Sequence, residues 1–140
     1  MTERIVTSNV FDNWNRIKKK LDASNNKPYF SEGEIWWCGV GKNVGVEING
    51  KSDKFSRPVL IFRKLNGLCF LAIPLTSQQK NGTWYIPFKF QDKIETAVLV
   101  QSRVLGVGRL YSRMGEIDES DYEKITQGFA KLFIKNIPKP

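Results

Sequence analysis

The chain contains no histidine. That removes Ser–His–Asp triads, histidine metal sites and ribonuclease chemistry built on paired histidines. Cysteine is scarce as well: there are two, Cys38 and Cys69. Each sits in an apolar run, so both read as buried free thiols in a reducing compartment rather than as a disulfide framework. No apolar stretch approaches the ~18 residues of a membrane span. The opening residues, MTERIVTSNVFDNW, lack the apolar core of a signal peptide. A cytoplasmic location with no membrane partner is expected, and no cluster of ligating side chains calls for a metal or a cofactor.

What is present is an ordinary apolar fraction, 41%, and a large excess of positive charge. Twenty-two basic residues against 14 acidic ones give +8. Such a balance points to a polyanion, either nucleic acid or an acidic protein. At 140 residues the chain reads as one domain, long enough to fold without a metal or disulfide.

Residues 8–23 read as an amphipathic helix, with Val10, Trp14, Ile17 and Leu21 on one face and Lys18, Lys19 and Lys20 mostly on the other. Ser8 or Asn9 is its expected cap. After the turn-rich SNNKPYFSEG, the pattern changes to short strands: Glu34 to Gly39, VLIFRK (59–64), GLCFLAIPL (67–75), TWYIPFKF (83–90), TAVLVQSRV (96–104) and a short GEI (115–117). Asn66-Gly67 is a strong hairpin signal. In TWYIPFKF, Trp84, Ile86, Phe88 and Phe90 alternate with Tyr85, Pro87 and Lys89, and Pro87 marks an edge strand. The tail reads as a second helix capped at Asp118 or Ser120, with Glu123 completing a capping box. Tyr122, Ile125, Phe129 and Leu132 form its apolar face. The expected architecture is mainly β: a small barrel over 33–117, a helix before it, and a helix over 118–135.

The stretch GVEINGKS, 45–52, has the full spacing of a phosphate-binding P-loop. That motif works only where a helix starts at its last residue. Here Pro58 follows shortly after Ser52, and the residue before a proline is pushed out of helical geometry. The glycines are read instead as turn residues in a long loop between two strands.

Three polar clusters flank apolar strands. Arg57 precedes Pro58 and VLIF, where a rigid turn can present a fixed cation to a phosphate. Thr76, Ser77 and Gln78 follow FLAIPL with hydroxyl and amide donors. Gln101 and Arg103 follow AVLV. Lys51 and Lys54 stand ahead of Arg57 as further phosphate contacts.

In this order and spacing, GEIWW (33–37), GVE (45–47), Arg57-Pro58-VLIF, IPLTSQ (73–78), VLVQSR, RL (109–110) and GEI (115–117) resemble the MazF/PemK family of toxin endoribonucleases. The resemblance spans roughly 33–134. It implies an SH3-like barrel that pairs as a homodimer, metal-independent cleavage of single-stranded RNA, and neutralisation by an antitoxin. It gives the catalytic places to Arg57 and Thr76, and puts Glu47 and Gln101 among the polar loop residues near the site. The helix at 8–23 is additional to short members, and LGVGRL (105–110) carries glycines where members usually carry polar residues.

The chemistry that fits is attack of an RNA 2′-OH on its own 3′-phosphate, leaving a 2′,3′-cyclic phosphate and a 5′-OH. Arg57 would stabilise the charge that builds on phosphate, and Thr76 would hold another oxygen. A proton-transfer role suits Arg57 poorly, since its reference pKa lies above ~12. Glu47 is a base only if the 45–52 loop folds over the site. The alternative is a barrel without catalysis that binds nucleic acid or inhibits a protein, because fold alone does not fix function.

Overall fold

VLIF carries no polar residue because this strand is covered on both faces. In the computed structural model, which describes residues 2–25 and 27–135, β2 (Ser56–Lys64) buries Val59 and Ile61 in one cluster and Leu60 and Phe62 in another. A strand with one solvated face would alternate. The first cluster includes Phe30, Trp36, Cys38, Phe70, Leu105 and Leu110. The second includes Ile35, Leu75, Phe88, Ala97, Leu99 and Ile125.

The remaining strands are β1 (Glu34–Gly39), β3 (Cys69–Thr76), β4 (Tyr85–Phe90), β5 (Lys93–Val98), β6 (Arg103–Gly106) and β7 (Leu110–Glu116). They form one antiparallel sheet in the order β4-β5-β3-β2-β1-β7, with β6 also on β3. The sheet curls into a half-barrel, with helix α1 (Thr2–Ala23) before it and α2 (Glu119–Phe133) after it. β2 and β3 are joined at Asn66, whose Oδ1 accepts from the N–H groups of Leu68 and Cys69. Among the described residues β4 pairs only with β5, so Pro87 sits on an edge strand.

Several expectations are corrected. α1 starts at Thr2, ahead of residue 8, and α2 is shorter than 118–135. The segment 96–104 is not one strand. Between Ala97, opposite Leu75, and Arg103, opposite Ala72, the partner advances six residues while β3 advances three. The surplus is taken up in a 3-10 turn, Leu99–Gln101. The last strand is longer than GEI. Cys69 is only half-buried, whereas Cys38 is fully buried, and burial pushes its thiol up to about 12. Trp84 precedes β4 and is half-exposed rather than inward-facing. Asp118 caps α2 without a side-chain bond to the helix backbone, and Ser120 lies inside the helix, donating to Asp118, so no capping box forms.

α1 is docked on the barrel by close approach. Trp14 is buried on Gly41, whose φ is +88° and where a Cβ would lie 2.3 Å from the indole. Its ring also meets Phe55, with centroids 5.6 Å apart, and Arg109 stands over it at 5.7 Å. Leu21 packs beside Gly39 and Gly108. α2 lays Tyr122, Phe129 and Leu132 against the second cluster, with Ile125 fully buried. The Tyr122 hydroxyl donates to the Phe62 carbonyl. No described helix is long and apolar enough to cross a membrane.

Candidate active site

The loop that carries the P-loop pattern closes as a hairpin. Lys51 and Ser56 pair as an isolated bridge, and Ser52 and Phe55 both have positive φ, 67° and 51°. Ser52 therefore starts a turn and no helix. Gly50 is required by close approach, because a Cβ there would fall 1.8 Å from the Phe55 carbonyl oxygen. That same oxygen accepts from the N–H groups of Val40 and Gly41. The hairpin is thus fastened to the end of β1 just before it delivers Arg57.

Arg57 pairs with Cys38 in the β1–β2 ladder. Its Nε donates to the Asn49 carbonyl at 2.8 Å and its Nη1 to the Leu75 carbonyl at 3.2 Å. A guanidinium has five N–H donors; the others meet no acceptor among the described residues. Burial pulls this group below its ordinary value, and the charge of Glu95 opposes that. Guanidinium nevertheless stays charged in proteins.

Two cavities meet at Arg57. The smaller, about 250 Å³, is lined by Arg57, Thr76, Gln78, Tyr85 and Gln101, with Val46 and Ile48 above. Thr76 is buried at the end of β3, and its Oγ1 accepts from the Gln78 N–H at 3.2 Å. The hydroxyl proton stays available to donate. The larger is an open groove of about 640 Å³. Lys51, Lys54, Arg57 and Lys93 line it against one carboxylate, Glu95, with Ser77 between strands and the half-exposed Trp37 and Tyr111 on its floor. This is a cationic trough with flat apolar faces, suited to a single strand of nucleic acid whose phosphates meet cations and whose bases stack. Trp36 and Trp37 alternate, so Trp36 fills the core and Trp37 faces the groove.

The structure brings Arg57, Thr76, Ser77, Gln78, Lys51, Lys54 and Gln101 around these two cavities. It does not bring Glu47 or Arg103 there. Glu47 is exposed and its carboxylate accepts from the Val44 N–H within its own turn. Arg103 lies on β6 opposite Ala72, near Arg109. Gln101 reaches the loop by both ends of its amide: Oε1 accepts from the Ile48 N–H at 3.2 Å, and Nε2 donates to the Val46 carbonyl at 3.1 Å.

The sequence reading missed Glu95. It stands on β5 opposite Phe88, facing the groove beside Arg57. Burial pushes its carboxyl above the usual range, against the pull of Lys93 and Arg57. The signal was a lone acid inside the apolar strand IETAV, but only the β3–β5 pairing places it by Arg57.

A family model described as the PemK-like, MazF-like toxin of type II toxin-antitoxin systems matches residues 31–133. None of the curated proteins matches the sequence. Among solved structures, an endoribonuclease in complex with its cognate antitoxin, from a Mycobacterial species, superposes with TM-score 0.60 at 18% identity, covering 81% of this chain and 99% of its own. MazF from Deinococcus radiodurans gives 0.62 at 17% identity, over 77% and 97%. The MazE–MazF structure from the same organism gives 0.58 at 14%, over 80% and 100%. At these identities the superpositions speak for the half-barrel fold. The family match leaves α1 outside it.

Proposed function

Since the chain belongs to the PemK-like, MazF-like toxin family of type II toxin-antitoxin systems, we propose that it is an endoribonuclease toxin cutting single-stranded RNA. The observation that carries this is Arg57. It is anchored through two donors on fixed carbonyls, and it lines both the cationic groove and the smaller cavity that holds Thr76.

The proposed reaction is transfer of the phosphodiester from the 5′-oxygen to the neighbouring 2′-oxygen. O2′ bonds to phosphorus, the P–O5′ bond breaks, and the products are a 2′,3′-cyclic phosphate and a 5′-OH. The nucleophile belongs to the substrate, so the protein has to orient the phosphate and hold its growing charge. Arg57 stabilises a non-bridging oxygen, and Thr76 donates to a second. Lys51, Lys54 and Lys93 receive flanking phosphates, and Ser77 and Gln78 offer donors at the strand end. Trp37 and Tyr111 present ring faces for bases, which gives the groove a route to sequence preference. The same reading includes a second copy of the chain as partner and an antitoxin protein. Light scattering on the purified chain reads the dimer.

The test is incubation of the purified protein with long RNA in excess EDTA, beside Arg57→Ala and beside the equivalent DNA. Cleavage of RNA alone, with cyclic phosphate and 5′-OH ends, supports the reading. No cleavage by the intact chain sinks it in favour of a binding barrel. Loss of cleavage in EDTA rejects metal-free transfer.

A further inference from the structure

Transfer to O2′ requires that the 2′-OH lose its proton, and neither Arg57 nor Thr76 takes it readily. With no histidine in the chain, the acceptor has to be another group. Most carboxylates around the barrel are engaged. Glu34 and Glu116 bind Arg113, Glu32 binds Arg63, and Glu47 caps Val44. Among the described residues, Glu95 is the one carboxylate lining either cavity at Arg57. It makes no hydrogen bond or ion pair among the described residues, although it feels the charge of Arg57.

We propose that Glu95 is a catalytic residue, the general base that accepts the proton from the attacking 2′-OH. This rests on the ribonuclease reading above. Glu95 and Arg57 line one open groove with no hydrogen bond or ion pair between them, so neither is withheld from a phosphodiester lying in it. O2′ gives its proton to the Glu95 carboxylate as it bonds to phosphorus. The P–O5′ pair leaves with O5′, which draws a proton from water, and Glu95 returns its own proton to solvent. The balance needs no further reactant.

The groups around Glu95 fit that task. Lys93 and Arg57 favour its ionised form, while burial favours the neutral one and wins. A carboxyl raised in this way is a stronger base than a solvated one and better matched to neutral pH. The other titratable groups on the groove are Lys51, Lys54 and Tyr111. Burial pushes the Tyr111 phenol up, away from a role as base.

The rival account is that Glu95 merely offsets the positive charge of the groove. The two accounts part on binding against turnover. Glu95→Gln keeps the shape and removes a negative charge facing a polyanion. As a base, its loss lowers the single-turnover rate by about 10²–10⁴-fold, abolishes the acidic limb of the pH–rate profile, and leaves binding of a 2′-O-methyl RNA equal or tighter. Glu95→Asp recovers part of the rate. A Glu95→Gln enzyme within about threefold of the parent, with its acidic limb intact, overturns the proposal. So does a rate loss that only tracks weaker binding or a lowered melting temperature. If the unaltered chain cuts no RNA, the ribonuclease reading itself fails, and that result is distinct from an active parent with an indifferent Glu95 variant.

Discussion

The Nη1 of Arg57 donates to the carbonyl oxygen of Leu75 at 3.2 Å, across the β2–β3 ladder. This bond fixes the guanidinium one residue before Thr76, whose hydroxyl lines the same cavity. The register of Val59 against Pro74 and Leu60 against Ile73, continued toward the strand start, leads to the same juxtaposition. Two residues far apart in the chain are therefore set together by backbone pairing, with no need for loop motion.

Arg57→Ala should separate chemistry from folding. Removing a fixed transition-state donor costs about 10²–10³ in rate. The fold loses two half-buried hydrogen bonds, on the order of 1–2 kcal/mol, or a few degrees in melting temperature. Cleavage kinetics and thermal denaturation on the same sample check both. A variant that unfolds at room temperature would show that Arg57 holds the barrel instead.

Acid should weaken the protein through Glu34. Burial would raise this carboxyl, but bonds from Arg113, the Ser31 N–H and the Trp36 indole outweigh it and leave the group below its ordinary value. A depressed carboxylate stabilises the fold fully above its unfolded pKa, about 4.3. That contribution drains away as pH falls through the lower folded value. Melting temperature should fall on going below about pH 4, and Glu34→Gln should flatten that decline while lowering stability at neutral pH.

The sequence shows some of this site and hides the rest for physical reasons. Alternation gave TWYIPFKF its inward Phe88 and Phe90, Asn66 announced its turn, and Pro58 removed the helix a P-loop needs. The break at Leu99–Gln101 was invisible because Leu99 is buried against α2 at Gly128, so the apolar run continues through the turn. Trp84 carried the right period yet falls outside the strand. Glu95 needed the β3–β5 crossover, which no local pattern encodes. Glu47 matched a family position, but its own turn claims the carboxylate.

The added helix should matter to RNA binding through Trp14. Its ring holds Phe55, and Phe55 ends the hairpin that presents Lys51, Lys54 and Arg57. Trp14→Ala should destabilise the chain by about 3 kcal/mol, as large-to-small core changes do. Gly41→Ala should cost a similar amount by forcing a Cβ against the indole at positive φ. Both should raise KM several-fold more than they lower kcat, whereas Trp14→Phe should recover most of the affinity. Equal KM in all three would show that α1 supports the fold without reaching the RNA groove.

Gln101 provides the test of whether a polar side chain at the cavity touches RNA or holds a loop. Both ends of its amide are occupied by the loop backbone, at Ile48 and Val46. It belongs to the 3-10 turn that takes up the surplus residues between β5 and β6. On that geometry Gln101 shapes the cavity around Thr76 and Gln78 without binding phosphate itself. Gln101→Ala should free residues 44–50, speed trypsin cleavage at Lys42 and Lys51, and raise KM while kcat stays within a few-fold. Gln101→Glu should do the same, because a carboxylate cannot donate to the Val46 carbonyl. A fall in kcat with KM unchanged and no new proteolysis would mean that the side chain leaves its clamp and works on the phosphate directly.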